Sequence, residues 1–231
     1  MAVKRPYRSA LRDAQARSTR RTIVDAAARL FVQQGYAQTT VDAIAAAAGV
    51  SRKTVFASVG GKAQTLKLAL DWATVGDDEP VPMLERPRIR QAREEPDARA
   101  ILVGFAGMAR EVNARIAPLV AVLEAAAGLE PELAELAEDR RAQRLRGMLD
   151  LARQLDARGA LKAELTVSAA ADLLWVCHDP AIFHRLVVER RWSADRYQRW
   201  LADALTGMLI DPGYRPRRGD SRTAARPRQG G

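Results

Sequence analysis

The chain holds a single cysteine, Cys177, and two histidines, His178 and His184, among its 231 residues. One cysteine excludes an intrachain disulfide and fits a reducing compartment. The histidines stand six apart, a spacing that does not put both on one helix face as a metal pair requires, so no metal or other cofactor is expected. Cys177, His178 and Asp179 have the residue types of a nucleophile, a base and an orienting acid. Consecutive helical residues point about 100° apart, however, so the three do not line up as a triad, and the chain does not read as an enzyme. No glycine-rich loop follows a strand, which leaves nucleotide chemistry without support. No apolar run approaches the ~18 residues of a membrane span, and the first thirty residues lack the apolar segment of a secretory signal. A soluble, cytoplasmic protein is expected. Strict apolar–polar alternation, the mark of a half-buried strand, is missing as well, so the fold class is all-α.

What is abundant is positive charge, unevenly placed. The net charge is +9, from 37 Lys and Arg against 28 Asp and Glu. Residues 1–70 hold twelve basic against three acidic residues, residues 71–212 nineteen against twenty-four, and residues 213–231 six against one. A basic N-terminal region beside a mildly acidic body is the electrostatic footprint of a polyanion binder.

The most informative stretch is Thr39 to Lys62. Val41, Ile44, Ala45 and Ala48 recur at helical spacing and give a short amphipathic helix. Gly49 ends it in the left-handed conformation that glycine adopts most readily. Ser51 then accepts from the open amides of a second helix, whose core contact is Val55. Arg52, Lys53, Thr54 and Ala57 face outward, where a DNA groove would lie. Upstream, Ile23, Ala26, Ala27, Leu30 and Phe31 form one stripe that Gly35 terminates, and Thr39 with Asp42 makes a capping-box-like start for the next helix. Downstream, Gly60-Gly61-Lys62 opens a further helix to about Ala73. The pattern is that of a DNA-reading helix-turn-helix with a supporting helix in front and a connecting helix behind.

Residues 21–66 resemble the tetracycline-repressor (TetR) family of bacterial transcription regulators. The resemblance is carried by the Ala-Ala-x-x-Leu-Phe of the first helix, Gly35-Tyr36, Thr40-Val41, Ile44-Ala45, Ala48-Gly49-Val50-Ser51, Thr54-Val55 and Lys62. It implies that Thr40 and Lys62 contact phosphate and that Arg52, Lys53, Thr54, Ala57 and Ser58 face the major groove, with Ser51 and Phe56 beside them. The chain departs from the family's pattern at Phe56, where a tyrosine is usual, at Val59, commonly phenylalanine, and at Thr65, often leucine. These departures imply a weakened phosphate clamp and a thinner core.

The remainder divides as a disordered basic arm over 1–18, the reader domain over 19–73, an exposed linker over 74–96 carrying Pro80, Pro82, Pro87 and Pro96, a helical body over 97–211, and a disordered basic tail over 212–231. Helices are expected at about 97–115, 118–127, 131–158, 166–190 and 193–210. Leu173, Leu174 and Cys177, with Tyr197, Trp200, Leu201, Ala204, Leu205 and Met208, form two terminal apolar stripes suited to a four-helix homodimer interface, or alternatively to the core of one subunit. The resemblance further implies a palindromic operator in double-stranded DNA, and a hydrophobic or amphipathic effector lodged among Phe105, Met108, Leu123, Met148, Leu149 and Trp175. Repression is the family's habit. The rival readings are a regulator whose input is a protein partner or nothing, and an all-helical binding protein with a vestigial reader.

Overall fold

The computed structural model describes residues 5–79, 81 and 85–216. Helix α1 runs Arg5–Gln38. The arm expected to be disordered over 1–18 is therefore helical from Arg5 onward. Between Tyr7 and Gln34 the sequence contains neither proline nor glycine, and Pro6 lies in the first turn, where its missing N–H has no helical partner to lose. Gly35 kinks the helix with φ 79° and ψ 170°, a backbone that a side chain disfavours. Helices α2 (Val41–Ala48), α3 (Arg52–Val59) and α4 (Lys62–Val75) follow. Thr40, and not Thr39, caps α2, its Oγ1 accepting from Ala43 N at 3.0 Å. Thr39 is buried and donates to Gly35 O at 2.8 Å, which stitches the end of α1 to the start of α2.

The expected linker is partly built. Helix α5 (Pro87–Glu94) lies within it. Arg86 forks onto Asp77 with bonds of 2.6 and 2.8 Å, closing the intervening loop. That bond, with a backbone N–H from Glu79, holds the Asp77 carboxyl down at about 2. Beyond it the body comprises α6 (Ala98–Ala126), α7 (Pro131–Ala157), α8 (Val167–Cys177), α9 (Pro180–Phe183), which runs on as a π-helical turn His184–Glu189, and α10 (Ala194–Leu209). Two expected helices merge in α6, with Pro118 inside it. Ile116, Ala117, Leu119 and Leu123 are buried around that proline, so tertiary packing offsets the one helical bond that proline removes. The helix placed over 166–190 is divided at Asp179-Pro180. Asp179 accepts from Ala181 N at 2.8 Å and Pro180 opens the next turn.

The tail is ordered further than expected. Tyr214 is buried, its hydroxyl donating to Pro96 O and accepting from Ala98 N, both at 3.2 Å. Residues 217–231 of the expected tail, and residues 1–4 of the arm, lie outside the described residues.

Two cores result. One joins α8, α10, α9 and the N-terminal half of α6 to the C-terminal half of α7. The other joins Ile23, Phe31, Ile44, Val55, Val59, Leu66 and Leu70 of α1–α4 to Leu119, Leu123 and Ala126 of α6 and to Leu133 and Ala137 of α7. The helix-turn-helix region is thus packed onto the tip of the α6–α7 hairpin, where it gains the burial that so short a segment lacks alone.

Candidate nucleic-acid interface

The turn between α2 and α3 is set by Gly49 at φ 66° and ψ 31°, which lets Val50 N donate to Ala45 O at 3.0 Å. Ser51 caps α3 by accepting from Thr54 N at 3.1 Å, and its hydroxyl shares a 2.8 Å bond with the Thr54 hydroxyl. Val55 and Val59 face inward and are buried. Val59 therefore fills the place where a larger residue was anticipated. The buried Thr65 hydroxyl donates to Gly61 O at 2.7 Å, so its polar atom is met inside the helix. These contacts fix which side of α3 turns outward. Arg52, Lys53, Phe56 and Ala57 are exposed and Thr54 and Ser58 half-buried.

Arg52 is not a free charge. Its Nη1 donates to Asp42 Oδ2 at 2.7 Å, and its guanidinium lies 5.6 Å from the centre of the Phe56 ring. A planar guanidinium braced on one edge and one face keeps its other N–H groups for a partner in the groove. Phe56 is 47% exposed; a ring so placed has a neighbour to cover and no hydroxyl to give a phosphate. Thr40 is exposed at the start of α2, where open amides and the helix dipole favour an anion. Lys62 is half-buried. Its Nζ donates to Tyr36 O at 3.1 Å and lies 3.9 Å from the centre of the Tyr36 ring. Helix α1 joins the site: Arg20 Nε donates to Ser58 O at 3.0 Å, so its basic forward part, with Arg12 and Arg17 exposed, is tied to the end of α3.

The reader is held to the body at identifiable points. Tyr36 stacks on Phe31 at 5.7 Å and donates its hydroxyl to Glu130 Oε2 at 3.1 Å. Burial and the adjacent carboxylate push that phenol well above its ordinary range. At the C-terminal end of α4, Arg115 Nε donates to Ala73 O at 2.8 Å. Arg140 reaches Asp71 Oδ1 at 2.7 Å and Thr74 Oγ1 at 2.9 Å. One turn further along α7, Arg144 donates to Trp175 O at 2.6 Å and to Asp179 Oδ2 at 2.7 Å. Helix α7 thereby grips both the helix behind the reader and the α8–α9 break.

The expected effector residues are not brought together as one set. Phe105, Met108, Met148, Leu149 and Trp175 belong to the body core, whereas Leu123 belongs to the reader core. A groove of about 140 Å³ between α4 and α7 is lined in part by Lys67, Glu132, Glu135 and Asp139, and by none of those six. The expected interface residues also divide. Leu174, Cys177, Tyr197, Leu201 and Leu205 are buried inside their own subunit, which corrects their assignment to a dimer face. Leu173, Trp200, Ala204 and Met208 remain half-exposed, with Val176 exposed beside them.

A model of the tetR family of bacterial regulatory proteins matches residues 23–67. The chain is similar to the uncharacterized HTH-type transcriptional regulator TtgW of Pseudomonas putida, 44% identical over 57 residues, or 25% of this chain and 42% of that one. The match thus spans less than half the length of that curated relative. Over 85% of this chain the fold is similar to that of NalD, the secondary repressor of the MexAB-OprM multidrug efflux pump in Pseudomonas aeruginosa, with 98% of NalD covered, a TM-score of 0.61 and 20% identity. It is similar also to SmeT, solved as a complex with triclosan, over 86% of this chain and 95% of SmeT, with a TM-score of 0.62 and 20% identity.

Proposed function

We propose that the chain, whose residues 23–67 match the tetR family of bacterial regulatory proteins, is a homodimeric, sequence-specific DNA-binding regulator, of the repressor type, released by a small effector. The observation that carries this reading is the outward face of α3. Arg52, Lys53 and Ala57 are exposed and Thr54 half-exposed on a helix whose opposite side, Val55 and Val59, is locked into the core. Such a helix presents side chains to a major groove, while the capped start of α2 at Thr40 and the basic forward part of α1 supply phosphate contacts. Arg52, held by Asp42, is the residue suited to a bidentate contact with guanine.

Two copies are needed to read a palindrome. The half-exposed Leu173, Trp200, Ala204 and Met208 of α8 and α10, with Val176, supply an apolar face for a second copy. Effector release draws support from the ties between α7 and α4, since a change at the body is felt at the helix behind the reader. The effector must bind the DNA-incompetent arrangement better than the competent one, because equal affinity shifts nothing. The triclosan complex of SmeT is one fold relative with a small aromatic ligand.

The reading is tested by fluorescence anisotropy on the DNA upstream of the chain's own gene against a scrambled duplex, across a salt series. Saturation at two subunits per site and at least ~10³-fold preference over the scrambled duplex is the expected result. Weak binding that salt abolishes equally on both duplexes would overturn it.

A further inference from the structure

Where α6 crosses the α8–α9 break, the body core keeps two polar side chains whose bonds are incomplete. Asn113 is fully buried and His178 nearly so. Asn113 Nδ2 donates to the His178 carbonyl at 3.4 Å and to Tyr197 Oη at 3.3 Å, both long, while its Oδ1 accepts from nothing. Neither ring nitrogen of His178 has a partner among the described residues. The Tyr197 hydroxyl accepts from Asn113 and keeps its own proton to give. Buried polar atoms left in this state carry an uncompensated desolvation cost, so they persist where a water or a ligand meets them.

The surroundings narrow what that ligand is. Arg144 and Asp179 stand by the ring but neutralise each other at 2.7 Å, so a charged guest would find no counterion. The Phe105 ring lies 5.2 Å from that of His178, and the Phe183 ring 4.9 Å from that of Tyr197. We infer that Asn113, His178 and Tyr197 form the polar end of an effector site, which takes a small uncharged molecule bearing a hydrogen-bond donor and acceptor on an aromatic or apolar frame. This deepens, and rests on, the reading of the chain as an effector-released regulator. Asn113 Oδ1 and the bare nitrogen of the neutral imidazole take the donor; the protonated nitrogen and the Tyr197 hydroxyl serve the acceptor. Arg144, paired with Asp179 beside the imidazole, stands one turn along α7 from Arg140 and its grip on Asp71, so a guest that shifts α7 here is felt at α4.

Benzamide, benzoate and benzylamine share a frame and differ in charge. Each is titrated calorimetrically into the full chain, its thermal midpoint is followed, and the DNA complex is read in parallel. Benzamide binds and raises the midpoint, and the two charged probes bind at least tenfold more weakly. Asn113→Leu and His178→Phe abolish benzamide binding yet fold with an unchanged or higher midpoint, because an unmet polar group has gone. Tyr197→Phe, which keeps the ring, weakens benzamide several-fold. Equal benzamide binding in all three variants overturns the assignment. So does the absence of any benzamide binding by the wild-type chain. Benzamide binding is read without DNA, whereas loss of sequence-specific DNA binding by the unliganded wild-type chain sinks the regulator reading, so the two failures are distinguishable.

Discussion

Lys62 and Thr54 show how two polar residues of one reader take different jobs. The Lys62 ammonium is anchored by the Tyr36 carbonyl and ring, at the start of α4, and carries a charge with no base edge to inspect. Thr54 is on the outward side of α3, its hydroxyl oriented by Ser51. Lys62→Ala is expected to weaken binding alike on all sequences and flatten the salt dependence by about one phosphate contact, and Thr54→Ala to alter the ranking of sequences. Anisotropy on specific and random duplexes at several salt concentrations separates them; equal effects of both on both duplexes would sink the groove assignment. The inward partners of these residues were legible from spacing, since Val55 and Ile44 fall at core positions of an amphipathic period. That Asp42 would turn away from a capping role to brace Arg52 was not legible, because the two lie ten residues apart on different helices and meet only when Gly49 sets the angle between them.

At the scale of the element, α7 is the piece whose period hid its function. Among its arginines Arg140 is largely buried, and that burial draws its guanidinium below the ordinary range despite Asp71. Arg140→Met keeps the stem and removes the fork. Asp71 retains Lys67 at 2.9 Å and the Thr74 hydroxyl retains Leu70 O at 2.7 Å, so neither is orphaned. The expected cost is about 1–2 kcal/mol in urea unfolding, well short of the loss for stranding a buried charge. The α4–α7 tie also predicts weaker coupling between body and reader, measured as a smaller effect of any effector on DNA affinity; unchanged coupling would remove α7 from the route. Elsewhere the local signals met opposition from packing. Pro118 reads as a helix start, but buried neighbours on both sides carry α6 straight through it. Within 166–190, Asp179 caps a new turn at Pro180 and restarts the chain.

For the whole molecule, the arrangement of apolar residues sets assembly and the buried histidine sets acid sensitivity. With Leu201 and Leu205 consumed by the subunit's own core, a second copy would rest on the half-exposed remainder, and Trp200 is the largest side chain there. Trp200→Glu should yield a monomer by sedimentation and lower operator affinity by at least tenfold, as one reader is lost from the pair; a dimer that persists would move the interface elsewhere. The His178 imidazole, ordinarily near 6.5, is held down to about 4, chiefly by burial, with Arg144 pushing the same way and Asp179 against it. The unfolded chain therefore takes up this proton first as pH falls. Its contribution to stability is complete above about 6.5 and drains away as pH drops toward 4. Urea midpoints should decline across that window, and His178→Phe should make the decline shallower; identical slopes would show that other groups govern it.

The sequence by itself determined the helical class, the two-helix reader and its outward residues, because these rest on period, caps and glycine positions within a few residues of one another. It determined the charge asymmetry for the same reason, since formal charge needs no fold. Only the tertiary structure decided which half of each apolar stripe stays inside, how far α1 extends, and that α7 ties α4 to the α8–α9 break. It alone brought Asn113, His178 and Tyr197 together across separations of 65 and 84 residues. Spacing along a chain reports which side of a helix a residue occupies; what that side meets depends on how the helices cross.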